Sequence, residues 1–168
     1  TVKALEASIK SDKSTYIRLT GSSNNPIVND KDYTFEIGKS IELKEGNDLT
    51  IFCAGAMVYN CLEAAKILSE KNISCSIVNM HTIKPIDKDA IKKASERSKL
   101  IVSVEEHNVI GGLGSAIAEY KATLNNSPKQ LIIGVDDNYS KGGSYKFLQE
   151  KHGLTPSKIV ENILQKLK

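Results

Sequence analysis

The chain has 168 residues, 40% of them hydrophobic and 26% charged, with a net charge of +3. That composition supports one ordinary domain with a real core and excludes a disordered chain. The 23 basic residues form no stripe that would follow nucleic acid, and no apolar run approaches the roughly 20 residues of a membrane helix.

Residues 1–20 read as the end of something else. Val2, Leu5 and Ile9 fall on one side of a short helix, Ser11-Asp12-Lys13-Ser14 breaks it, and Tyr16-Ile17-Arg18-Leu19 predicts a short strand. Gly21-Ser22-Ser23-Asn24-Asn25-Pro26 is a run of turn formers, so residues 21–34 read as a linker. One helix and one strand cannot bury a core. A domain boundary is therefore expected here, with 1–20 the incomplete end of an upstream domain and 35–168 the main one.

From Phe35 the pattern becomes regular. Phe35, Ile37, Ile41 and Leu43 alternate, as in a half-exposed strand over 35–43. Glu45-Gly46-Asn47-Asp48 reads as a hairpin turn. It leads into the apolar run 49–53, so this first pair is expected to be antiparallel. Strand and helix then alternate. Val58, Cys61, Leu62, Ala65 and Leu68 give a helix over 57–71. Residues 73–78 give a strand. Asp87 is an expected N-cap for the helix carrying Ala90, Ile91 and Ala94, and 100–104 is the next strand. A helix follows with Leu113, Ala116, Ile117, Tyr120 and Leu124 inward, then a strand over 130–135. A short helix over 144–151 is ended by Gly153. Thr155-Pro156 starts a last helix. This order predicts an α/β fold, a mostly parallel five-stranded sheet with one antiparallel strand, sandwiched between helices. The three cysteines, Cys53, Cys61 and Cys75, read as buried free thiols of a reducing, cytoplasmic compartment.

The most informative segment is 105–119, Glu-Glu-His-Asn-Val-Ile-Gly-Gly-Leu-Gly-Ser-Ala-Ile-Ala-Glu. In an open α/β sheet, ligands and partners gather at the carboxyl ends of the strands. Gly111, Gly112 and Gly114 between strand and helix read as a tight turn with close packing. An anion at the helix N-terminus or a subunit interface are the alternatives. The motif is neither a dinucleotide fingerprint nor a phosphate-binding loop. Glu105 and Glu106 are adjacent on an extended segment and point to opposite sides, so they do not form an acid/base pair. His107 is an acid or base by type, and a structural group by context. His81, His107 and His152 lack metal-ligand spacing. The residues alone describe a soluble α/β domain without a complete catalytic set.

The chain resembles the C-terminal part of transketolase-like enzymes, particularly the C-terminal subunit of transketolases split into two chains. The resemblance rests on Tyr16-Ile17-Arg18-Leu19-Thr20, Phe35-Glu36-Ile37-Gly38-Lys39, Asn79-Met80-His81-Thr82-Ile83-Lys84-Pro85-Ile86-Asp87 and residues 105–119. Deoxyxylulose-phosphate synthases and 2-oxoacid dehydrogenase β subunits end in a similar domain. The resemblance implies transfer of two-carbon ketol units between sugars with thiamine diphosphate and Mg²⁺ in the complete enzyme. It implies a structural, dimer-supporting role for this chain, with neither cofactor bound to it alone and no catalytic residue of its own. It also implies an N-terminal cofactor-binding partner and a sugar or sugar-phosphate substrate, with residues 1–20 closing the pyrimidine-binding domain. Arg18, Glu106, His107, Asn108, Gly111, Gly112 and Gly114 are then candidates for a substrate edge or interface. One departure stands out. Where related sugar-phosphate enzymes carry a second arginine after the strand, this chain has Gly21-Ser22-Ser23, and hydroxyls do not replace a guanidinium fork. A stand-alone doubly wound module holding a nucleotide or anion at the Gly111 turn is the competing reading.

Overall fold

The computed structural model describes residues 1–20, 26–29 and 32–168. Eleven elements follow in order among them: α1 Val2–Ile9, β1 Ile41–Lys44, β2 Leu49–Cys53, α2 Met57–Glu70, β3 Cys75–Asn79, α3 Lys88–Arg97, β4 Leu100–Asn108, α4 Leu113–Lys121, β5 Lys129–Val135, α5 Tyr145–Lys151 and α6 Pro156–Leu167. The five strands make one sheet in the order β1-β3-β2-β4-β5. The β1–β3 pair is antiparallel and the other three pairs are parallel. The predicted fold class is correct.

The layers follow from burial. β2 and β3 are buried along their whole length, as strands covered on both faces must be. On one face, Leu49, Ile51, Cys53, Ile77, Val102 and Val104 pack against α2 and α6. On the other, Phe52, Val78 and Ile101 pack against α3 and α4. Asp87 caps α3, its carboxylate accepting from Ala90 N at 3.0 Å and from Ser40 N at 2.7 Å. Gly153, at φ +70°, follows α5. Thr155 precedes α6 without capping it; its hydroxyl donates to Glu150 at 3.0 Å. All three cysteines are buried and free, with no Cys53–Cys75 bridge. Among the described residues no helix is long and apolar enough to cross a membrane.

Three expectations are corrected. The strand over 16–19 does not form. Tyr16 and Leu19 are 88% and 61% exposed, and a lone strand has nothing to hold it. The strand over 35–43 shrinks to Ile41–Lys44, because Gly38 at φ +85° turns the chain and Phe35 stacks on His81, ring centroids 4.3 Å apart. Phe35 and Ile41 alternate in sequence but serve different contacts. Lastly, β1 and β2 are not a hairpin. β3 lies between them, because the uncharged β2 needs a strand on each side while the half-buried β1 suits an edge. The predicted linker falls partly outside the described residues. Within it, Val28 packs against the core.

Edge strand β1 is fastened by Glu42. Its carboxylate accepts from Ser76 Oγ at 2.7 Å, Arg97 Nη2 at 2.5 Å and Lys93 Nζ at 3.1 Å. Burial pushes this carboxyl up, but those three donors outweigh it and bring it down to about 2. A depressed carboxyl contributes stability above its unfolded value near 4.5 and loses it as pH falls toward 2. With the side chain 24% exposed, screening leaves the effect at roughly 2 kcal/mol. Denaturant melts of the chain should therefore weaken between pH 4.5 and 2, and Glu42→Gln should flatten that dependence.

Candidate functional site

The segment singled out by sequence lies where β4 leaves the sheet. β4 runs four residues past its expected end to Asn108, so Glu105, Glu106 and His107 belong to the strand and not to the turn after it. The extension holds because Val109 N donates to Val135 O at 2.9 Å and Asn108 pairs with Val135, beyond an irregularity after Val104 where the register shifts.

The strand's alternation then separates the two acids. Glu105 turns inward and is 4% exposed. Its Oε2 accepts from Leu113 N at 2.6 Å and its Oε1 from Gly114 N at 2.8 Å. These are the first amides of α4, the groups that would bind an anion at a helix N-terminus. The chain has filled that seat with its own carboxylate. The glycines explain themselves in the same geometry. A Cβ on Gly112 would lie 2.0 Å from Glu105 Oε2, and one on Gly114 would lie 2.6 Å from Ile132 and 2.8 Å from Ser103 Oγ. Gly111 takes φ +79°, and its N–H donates to Ser115 Oγ at 2.8 Å. The glycines serve tight packing and the turn.

Glu106 faces the other way and meets Tyr145. Burial, with the Glu106 charge and hydrogen bond beside it, pushes the Tyr145 phenol up to about 12. Replacing Glu106 with glutamine should bring that phenol back toward 10. An absorbance titration checks it, with Tyr145→Phe identifying the curve among the six tyrosines.

His107 is exposed, and its Nδ1 contacts Asn108 O at 2.9 Å. A carbonyl only accepts, so Nδ1 carries the hydrogen. Asn108 Nδ2 donates to Asp137 at 3.1 Å, and its Oδ1 accepts from Ile110 N at 2.8 Å. Arg18 is exposed in the N-terminal segment, and among the described residues no contact joins it to this turn. The structure thus brings Glu106, His107, Asn108 and the three glycines to one edge and leaves Arg18 apart. Sequence reasoning missed Tyr145 and Asp137, which reach the edge only through the fold. It also left Glu105 without a role, although an acid eight residues before a helix start is the available signal.

Among the described residues no nucleophile and base are paired at this edge, so its chemistry is that of a surface. Around it Ile110, Tyr139, Tyr145 and Phe147 are exposed at 65%, 106%, 49% and 53%. Near the carboxyl end of β3, His81 has its Nδ1 3.0 Å from Thr82 Oγ1, and its Nε2 is buried without a partner among the described residues. Burial lowers its pKa, against the opposing charge of Asp87.

Comparisons with known proteins agree with the fold. The family described as "Transketolase, C-terminal domain" matches residues 38–159. A putative transketolase C-terminal section of Methanocaldococcus jannaschii is 40% identical over 154 residues, covering 91% of this chain and 48% of that protein. An apulose-4-phosphate transketolase subunit of Phocaeicola vulgatus is 36% identical over 155 residues, with 91% and 48% coverage. A solved structure of a split-gene transketolase, described as an inactive β4 tetramer, superposes with a TM-score of 0.76 at 37% identity, covering 83% of this chain and 45% of that one. The chain spans about half the length of the curated relatives it matches.

Proposed function

The chain belongs to the transketolase C-terminal domain family, and from that premise we propose that it is one part of a transferase that moves two-carbon ketol units between sugars on thiamine diphosphate. The observation that carries this reading is coverage. Relatives that are C-terminal sections or single subunits of transketolases align with 91% of this chain and extend to about twice its length. In this reading the chain is a scaffold that supports dimers and carries no catalytic residue. An N-terminal domain or subunit supplies the cofactor seat, with Mg²⁺, and the sugar or sugar phosphate meets the Glu106–Asn108 edge or passes near it.

The described residues offer the cofactor a poor fit. Glu105 fills the α4 amides that a diphosphate would need. Among the described residues no group of three or more His, Cys, Asp or Glu could hold a metal ion. Both observations support a cofactor seat on the partner and weigh against a stand-alone nucleotide module.

Residues 1–20 fit the end of the partner body. On α1, Val2, Leu5 and Ile9 are 69%, 54% and 75% exposed, an apolar stripe with no core beneath it among the described residues. The helix is held instead by Lys3, which donates to Asp32 and to the Tyr33 carbonyl and sits 4.5 Å over the Tyr33 ring. The missing second arginine after Arg18 favours an unphosphorylated acceptor, or one whose anionic group is held elsewhere.

The test is reconstitution with the cognate N-terminal section, thiamine diphosphate and Mg²⁺, comparing plain and phosphorylated acceptors. Ketol transfer that needs both polypeptides supports the proposal. Transfer by the N-terminal section alone at the full rate would contradict it.

A further inference from the structure

The connection from β5 to α5 collects donors without acceptors. Residues 138–152 carry three lysines against one acid, and that acid, Glu150, accepts from Thr155 at 3.0 Å. Of the acids just before them, Asp137 accepts from Asn108 at 3.1 Å, and Asp136 lines a groove beside β5 on whose wall His152 also stands. Two residues at the end of α5 converge on the loop. Lys151 Nζ donates to Ser140 Oγ at 3.2 Å, and His152 Nε2 lies 3.0 Å from the same oxygen. Ser140 gives its own hydrogen to the Lys141 carbonyl at 3.3 Å, so His152 Nε2 is a donor as well. This serine and histidine are therefore not a nucleophile with its base: a hydroxyl oxygen sits where two donors meet. Neither Lys141 nor Lys151 has a carboxylate partner among the described residues. The backbone adds to the imbalance. Among the described residues, the N–H groups of 139–144 donate to no acceptor. Gly142 leaves them uncovered, since a Cβ added there would meet nothing within 4 Å.

We infer that this loop is a binding site for a phosphate group, either free or as the monoester of a small molecule. A phosphate oxygen takes hydrogen bonds and gives none, and its charge strengthens each one. Lys151 keeps hydrogens to spare after Ser140 takes one. The Ser140 hydrogen is readily redirected, because its present bond is long at 3.3 Å. The amides between 140 and 144 complete the set of donors. His152 is then a positioning residue, whose Nε2 holds Ser140 beside Lys151. The loop is tied at both ends, by Asp137 to Asn108 and by Tyr145 to Glu106, so less freedom is lost when a ligand orders it. With its main cation exposed to solvent, the site is weak and suits a ligand present at about millimolar concentration. That strength falls far short of stoichiometric cofactor uptake. The site needs nothing from an N-terminal section, so it stands or falls apart from the transferase reading.

Amide chemical shifts of the chain, followed at constant ionic strength, test this with inorganic phosphate, a sugar monophosphate and the same sugar unphosphorylated. The expected result is saturable movement of the 140–144 amides with both phosphates and none with the plain sugar. Equal affinity for the two assigns the site to free phosphate, and tighter binding of the ester assigns it to a phosphorylated small molecule. Lys151→Gln and Ser140→Ala should each weaken binding about tenfold. Lys146→Gln removes the same charge from an exposed position on α5 and should leave the affinity unchanged. Unmoved shifts in the sheet confirm that each variant is folded, and the titration of the unmodified chain stands even if one is not. Loop amides that show no saturable movement with either phosphate overturn the inference. So does an affinity that falls as much in Lys146→Gln as in Lys151→Gln, which would make the effect one of net charge.

Discussion

Replacing Gly46 with alanine should destabilise the domain by about 3 kcal/mol or more, through a clash that no side chain can relieve. Gly46 is buried in the connection from β1 to β2, directly under the start of β3. A Cβ there would lie 2.2 Å from the Cys75 carbonyl carbon, 2.5 Å from its oxygen and 2.6 Å from Ser76 N. Those are backbone atoms of a strand paired on both sides, so no flexible group can move aside. Relief requires shifting β3, and with it the stack of Ile77 and Val78 on both faces. Gly142, with nothing described within 4 Å of an added Cβ, is the control, and Gly142→Ala should be nearly neutral. Denaturant midpoints at constant slope compare the two. A Gly46→Ala variant as stable as the parent would mean that β3 does not sit where the structure places it.

The second large effect belongs to Glu105. Truncation to alanine leaves the buried N–H groups of Leu113 and Gly114 without an acceptor and removes a charge from the positive end of α4. Each orphaned amide costs about 1–3 kcal/mol, so the loss should be about 3 kcal/mol. Glu105→Gln should lose less, since one carbonyl oxygen still accepts while its amide faces the other N–H. Gly112→Ala is expected to be destabilising alone, because its methyl would meet the carboxylate, and nearly silent in the Glu105→Ala background. That non-additivity is a double-mutant cycle between residues in contact. Additive losses would remove Glu105 from the α4 N-terminus and reopen that seat to an outside anion.

The fold was largely legible, because alternation of buried strands with amphipathic helices fixes the layers regardless of loop detail. Asp87 as a cap, Gly153 after α5 and the mostly apolar, uncharged β2 all signal themselves locally. What misled was connection length. The short turn at Glu45–Asp48 looks like a hairpin, yet partner choice is decided by which strand must be covered on both sides, a property of the whole sheet. The run of alternating residues from Phe35 failed for a related reason: Phe35 finds the His81 ring, a contact no period reveals. At the candidate site, the sequence marks the right edge through its glycines and acids but does not say that Glu105 turns inward. That follows only once β4 is known to extend to Asn108, which decides which acid faces the helix. Tyr145 and Asp137 are distant in sequence from Glu106 and Asn108, and only the folded chain brings them together.

The most direct measurement is calorimetric titration of thiamine diphosphate with Mg²⁺, first into the purified chain and then into the chain assembled with its N-terminal section. The account predicts no stoichiometric uptake by the chain alone and one cofactor per assembled pair. Tight one-to-one uptake by the chain with no companion present would contradict it.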